Sequence, residues 1–220
     1  MKKLLCLVLC LCLAAALGAP AALAEESEPE AADVIGLKED NVYRSEFLGI
    51  QAEFDENWYL LSDEEALEAM GQVADSVENG DLADLLRESG AVCDLFAVAL
   101  DGSRDTINIQ LENLGFLYGM VLSEEAYLKQ AQGMLEESLK QMGLENIRIQ
   151  SETIDFAGEE HLSIAIVGEM SGVEIYERMV LLKEGSYMAS VTYASVGSRN
   201  ADRLPELFSA IDADEVKEAA

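Results

Sequence analysis

The clearest periodic signal in the chain runs over residues 123–142. There Leu128, Ala131, Leu135, Leu139 and Met142 recur at helical spacing, and Gly143 supplies a left-handed stop. Four strand-like segments follow, over residues 147–156, 160–169, 173–183 and 187–194. Their joints are short and carry Gly158, Gly172 and Gly185, which favours antiparallel neighbours because a parallel crossover needs about a dozen residues. Runs such as Ile164-Ala165-Ile166-Val167 and Met179-Val180-Leu181-Leu182 are apolar on both faces, the pattern of a sheet covered by helices on both sides.

The first half of the chain alternates differently. Tyr43 and Phe47, then Ile50, Ala52 and Phe54, alternate with polar residues around Leu48-Gly49, a hairpin signal. Ser62 and Glu65 have the spacing of a capping box, and Leu67, Met70, Val73 and Val77 follow at helical intervals. Leu82, Leu85 and Leu86, closed by Gly90, predict a second short helix. Residues 93–100 and 106–112 read as two strands joined by a tight Asp101-Gly102 turn. A closing helix is expected through Leu204, Leu207, Phe208 and Ile211, with Pro205 in its first turn. The elements together make an α+β chain with a mainly antiparallel sheet.

The two ends lie outside this pattern. Lys2-Lys3, an apolar run from Leu4 to Leu17 and the exit Ala22-Leu23-Ala24 have the form of a secretory signal, with cleavage expected after Ala24. The run is shorter than the roughly 20 apolar residues of a membrane span, and Gly18 and Pro20 close it. Residues 25–40 are acidic and aperiodic and read as a flexible leader. A single domain is expected over 41–212, with an acidic tail over 213–220. Cys6, Cys10 and Cys12 belong to the signal, so the exported chain keeps only Cys93 and forms no internal disulfide.

The stretch from Asn41 to Glu65, NVYRSEFLGIQAEFDENWYLLSDEE, resembles the opening of uncharacterised exported proteins and lipoproteins of Gram-positive, Clostridia-type bacteria. In these an Asn-x-Tyr hairpin leads through a Gly-Trp or Asn-Trp turn to an acidic helix start, and Gly49 and Trp58 occupy the matching positions here. The order of the remaining elements is similar to the PsbP/Mog superfamily. That resemblance implies an α/β/α sandwich around an antiparallel sheet, and it implies binding or accessory roles in place of catalysis. It transfers no binding residue, and the chain lacks the lipid-acceptor cysteine of the lipoprotein members.

Charge narrows the partners. The chain carries 43 acidic against 14 basic side chains, a formal net charge of −29, which repels nucleic acid and anionic membrane surfaces. The one histidine, His161, lies beside Glu159 and Glu160, with no nucleophile or ligand set around it in sequence. Close acid pairs such as Glu136-Glu137 follow from composition and do not mark a paired-acid site. Asp101, Ser103 and Asp105 are calcium candidates by residue type. They lack the spacing and distant glutamate of a dedicated loop, and Arg104 opposes a cation. Phe116, Tyr118 and Met120, in a Gly-flanked apolar stretch, are candidate ligand or partner contacts, with packing beneath the long helix as the competing reading.

No catalytic residue, cofactor or metal site is assigned. The reading is a secreted, non-catalytic binding or accessory protein for an unknown protein or small ligand. The alternative is an extracellular hydrolase built on carboxylates, with or without a divalent cation.

Overall fold

The computed structural model describes residues 34–76, 91–115, 119 and 121–212. The signal segment, the proposed short helix over 82–86, the acidic tail and the candidate contacts Phe116, Tyr118 and Met120 lie outside the described residues.

The meander forms as the joints require. Strands β7 (Glu145–Phe156), β8 (Glu159–Met170), β9 (Val173–Glu184) and β10 (Tyr187–Val196) pair consecutively and antiparallel. The first two turns hold Ala157-Gly158 and Ser171-Gly172, with φ of 54° and 88°, and 52° and 77°. Two successive positive φ values define the tight hairpin turn whose twist matches its strands, and the glycine takes the second at no steric cost. The sheet continues through β6 (Thr106–Asn113) and β5 (Val92–Ala99) to β4 (Trp58–Leu60), in the order β4-β5-β6-β10-β9-β8-β7.

Its two faces carry separate cores. One is covered by helix α2 (Glu124–Gln141), whose Leu128, Leu135 and Leu139 pack with Ile164, Ile166, Met179 and Leu181. The Ser123 hydroxyl caps this helix by accepting from the Ala126 amide at 3.2 Å. Helix α1 (Asp63–Ser76) starts in the expected capping box. The Glu65 amide donates to Ser62 Oγ at 3.3 Å, and Glu65 Oε2 accepts from the Ser62 amide at 2.9 Å. The apolar stripe is turned from expectation: Ala66 is buried against Phe96 while Leu67 is 73% exposed.

The other face corrects the expectation of helices on both sides. Among the described residues, a four-stranded sheet covers it, in the order β1 (Leu37–Glu39), β2 (Val42–Ser45), β3 (Ile50–Glu53) and β11 (Phe208–Ala210). Tyr43, Ala52, Phe54 and Phe208 pack there on Ile107, Ile109, Val180 and Val191. The layers are therefore helix, large sheet and small sheet, where an α/β/α sandwich was expected.

The closing helix is corrected too. After a 3-10 turn (Asn200–Arg203), α3 lasts only from Leu204 to Leu207, and Phe208 turns extended, at φ −114° and ψ 143°. It pairs with Ala52 and buries its ring against Phe156, 5.4 Å between centroids. The free edge of β3 offers hydrogen bonds and a buried site that a continued helix would forfeit.

Residues 34–39, which the sequence reading assigns to the leader, are structured. Val34 is buried, and β1 pairs with β2. The anchor is Asp94, at a bulge in β5. Its Oδ1 accepts from the Gly36 amide at 2.7 Å and its Oδ2 from the Tyr43 hydroxyl at 2.6 Å. No helix among the described residues is long and apolar enough to cross a membrane.

Candidate functional site

Four chain segments meet at the β4 end of the large sheet. The turn after β3 is fixed by Asp55, whose Oδ1 accepts from the Asn57 amide at 2.9 Å and whose carbonyl accepts from the Trp58 amide at 3.1 Å. This delivers Trp58 into register with Ala99 of β5. The following turn is fixed by its own side chains. Asp101 Oδ1 accepts from the Ser103 amide at 2.8 Å, and Ser103 Oγ accepts from the Asp105 amide at 3.2 Å. Tyr193 comes from β10, opposite Ile107, and Asn200 and Arg203 come from the 3-10 turn. Together these residues line a cleft of about 220 Å³, with Phe54 and Leu207 as apolar walls.

Asp105 is the buried charge of the cleft, 2% exposed. Its Oδ2 accepts from the Tyr193 hydroxyl at 3.0 Å and from Asn200 Nδ2 at 2.8 Å, both neutral donors. Its Oδ1 is buried with no hydrogen-bond partner among the described residues. Burial, then the Asp105 charge and hydrogen bond, hold the Tyr193 phenol above its usual range, so the hydroxyl stays a donor. Asp101 is exposed, and its bonds to Ser103 pull its carboxyl below the ordinary value.

The three calcium candidates thus share one cleft, but Asp101 and Ser103 spend oxygens on the turn's own amides. Among the described residues, no group of three or more histidine, cysteine or acidic side chains is placed to hold a metal. Trp58, Tyr193, Asn200 and Arg203 were not read as site residues from the sequence. Trp58 is half-buried and meets Phe54 and Tyr193 edge-on, at centroid distances of 5.9 and 5.7 Å.

The other titratable groups lie elsewhere. His161 Nδ1 is 2.9 Å from Glu124 Oε1, and the Leu162 amide donates to Glu124 Oε2 at 2.8 Å, tying the start of α2 to β8. Two acids are buried on the helix-facing side of the sheet. Glu112 accepts from the Tyr127 hydroxyl at 2.6 Å, and both carboxyl oxygens of Glu177 lack a hydrogen-bond partner among the described residues. Burial pushes Glu112 up to about 7 and Glu177 up to about 8. Glu112 lies opposite Met188 and Glu177 opposite Ala194, so the two are offset by roughly 20 Å along the strands. A paired-acid hydrolase needs about 5–10 Å between its carboxyls. In the cleft, Glu53, Asp55 and Asp101 are exposed and only Asp105 is buried.

No protein-family model matches the chain, and no curated protein matches it. Among solved structures it is similar to LpqN, described as involved in cell envelope biogenesis of Mycobacterium tuberculosis. The identity is 12% over 73% of this chain and 82% of that one, with a TM-score of 0.41. It is also similar to a Bacteroides thetaiotaomicron protein, at 9% identity over 76% of this chain and 46% of that one, with a TM-score of 0.39. Likeness at this level carries no argument about fold family or function.

Proposed function

We propose that the chain is an exported, non-catalytic binding or accessory protein that holds its ligand in the cleft between Trp58, Asp105, Tyr193 and Asn200. The observation that carries this reading is Asp105. A buried carboxylate is held in place by two neutral donors, beside a half-buried indole. A few fixed polar groups next to aromatic surface make a recognition site. The polar groups are bonded to one another in ways that fix the shape of the site. Export rests on the signal-like N-terminus. Kinship with exported proteins of Gram-positive bacteria rests on the motif over 41–65, and likeness to the PsbP/Mog superfamily rests on the order of the elements after it.

The test is retention of small molecules. The protein and its Trp58→Ala/Asn200→Ala variant are incubated with an extracellular extract, freed of unbound solutes by ultrafiltration and analysed by mass spectrometry. Compounds enriched on the parent and lost from the folded variant support the reading. Equal retention by both contradicts it.

A further inference from the structure

We infer that β7 is an interaction edge, along which a second copy of this chain adds antiparallel and joins the two large sheets into one. The inference is independent of the cleft, which lies toward the opposite, β4 edge of the sheet.

Three observations carry it. The first is the edge itself. β7 pairs with β8 on one side and, among the described residues, with no strand on the other. Its pairing with β8 is regular from Arg148 to Phe156, while the other edge strands, β1, β4 and β11, are each three residues long. A long edge presents a row of free amides and carbonyls, which proteins blunt by brevity, proline, lysine or a bulge. From Arg148 to Phe156 there is no proline, no lysine and no shift of register. The second is exposure. Arg148, Gln150 and Glu152 on one face, and Ser151 and Thr153 on the other, are all exposed, so neither face of the strand is covered at its middle.

The third is charge, and it selects a second copy as the occupant. A two-fold axis through Gln150 sets Arg148 of each copy opposite Glu152 of the other, which makes two ion pairs. On the other face the same axis sets Ile149 against Ser151 and Ile147 against Thr153. Arg148 makes no ion pair among the described residues, and Arg178 bonds Glu152 through Oε1 alone, fixing that carboxylate at the edge. An axis through Ser151 would set Arg148 against Ile154, and one through Glu152 would oppose like charges. The net charge of −29 resists self-association at long range. At about 0.15 M salt that repulsion is screened beyond about 8 Å, whereas directly opposed side chains still attract.

The test is sedimentation equilibrium of the exported protein in about 0.15 M salt, from about 10 μM to about 1 mM, with amide hydrogen exchange at both ends of the range. The expected result is a monomer–dimer equilibrium, with exchange slowed at high concentration over residues 147–153. Arg148→Glu, at an exposed position, should weaken the dimer about tenfold or more, because both pairs become repulsive. Glu152→Arg should do the same. An equimolar mixture of the two variants should associate as tightly as the parent, since opposite charges then meet at both pairs.

A protein that stays monomeric up to about 1 mM overturns the inference. So does a dimer whose affinity is unchanged in Arg148→Glu, or whose slowed amides lie outside β7. Two folded variants that fail to associate when mixed overturn it as well. Should Glu152→Arg lose its fold along with the Arg178 contact, the Arg148→Glu and exchange readings decide alone.

Discussion

Trp58 stands edge-on to Tyr193, with ring centroids 5.7 Å apart and planes at 83°. The contact joins the first strand of the large sheet to its central strand β10 across one end of the molecule, and it forms one wall of the cleft. Because the indole is half-buried, its removal empties less space than a full core truncation. Trp58→Ala should cost roughly 1–3 kcal/mol in urea unfolding. A loss above about 4 kcal/mol would mark Trp58 as a core residue.

Tyr43 and Asp94 make the corresponding test of the N-terminal anchor. Tyr43→Phe removes the hydroxyl that Asp94 Oδ2 accepts, leaving a buried acceptor unpaired. The expected cost is about 1–3 kcal/mol by chemical denaturation. No change in midpoint would show that this bond does not secure β1 and β2 to β5.

The buried acids set a pH dependence whose sign is fixed. Burial raises Glu177 to about 8 and, with partial relief from Tyr127, Glu112 to about 7, both above the unfolded value of 4.5. Below about pH 4.5 both groups are protonated whether the chain is folded or not, so neither lowers stability. As pH rises, the unfolded chain ionises first, and stability falls until each folded-state value is passed. Thermal melts should therefore decline from pH 5 to pH 8. Glu177→Gln should flatten the decline and stabilise the protein at pH 8 by roughly 2–4 kcal/mol, with little effect at pH 4.5. An equal effect at both pH values would exclude titration as the cause.

His161 gives a second pH signal. Its hydrogen bond to Glu124, then their mutual charge, outweigh burial and raise the imidazole above the usual histidine value. The pairing contributes fully below the unfolded value and is lost as pH rises through the raised folded value. As the only histidine, it gives an isolated NMR resonance. That resonance should titrate above the usual histidine range, and Glu124→Gln should bring it down. An unchanged titration in the variant would contradict the pairing.

The meander and the long helix are legible in the sequence because their causes are local. Turn glycines stand where the chain needs positive φ, and Leu128, Leu135 and Leu139 recur at the spacing of one helix face. The small sheet is not legible, because Phe208 enters a strand only where the distant edge of β3 is free to pair with it. The anchor has the same character: Gly36 and Asp94 meet across 58 residues of chain. Half of the cleft is readable, since Asp101, Ser103 and Asp105 form a turn whose bonds run two residues at a time. The other half reaches Asp105 from Tyr193 and Asn200, 88 and 95 residues away, a distance over which no local pattern operates.

The central claim is that recognition takes place in the cleft at the β4 end of the large sheet. Amide chemical-shift mapping with the compounds that ultrafiltration retains tests it most directly. The account expects saturable shifts confined to residues 54–58, 99–105, 193 and 200–207. Shifts centred instead on the His161–Glu124 contact, or an absence of saturable shifts in the cleft, would contradict it.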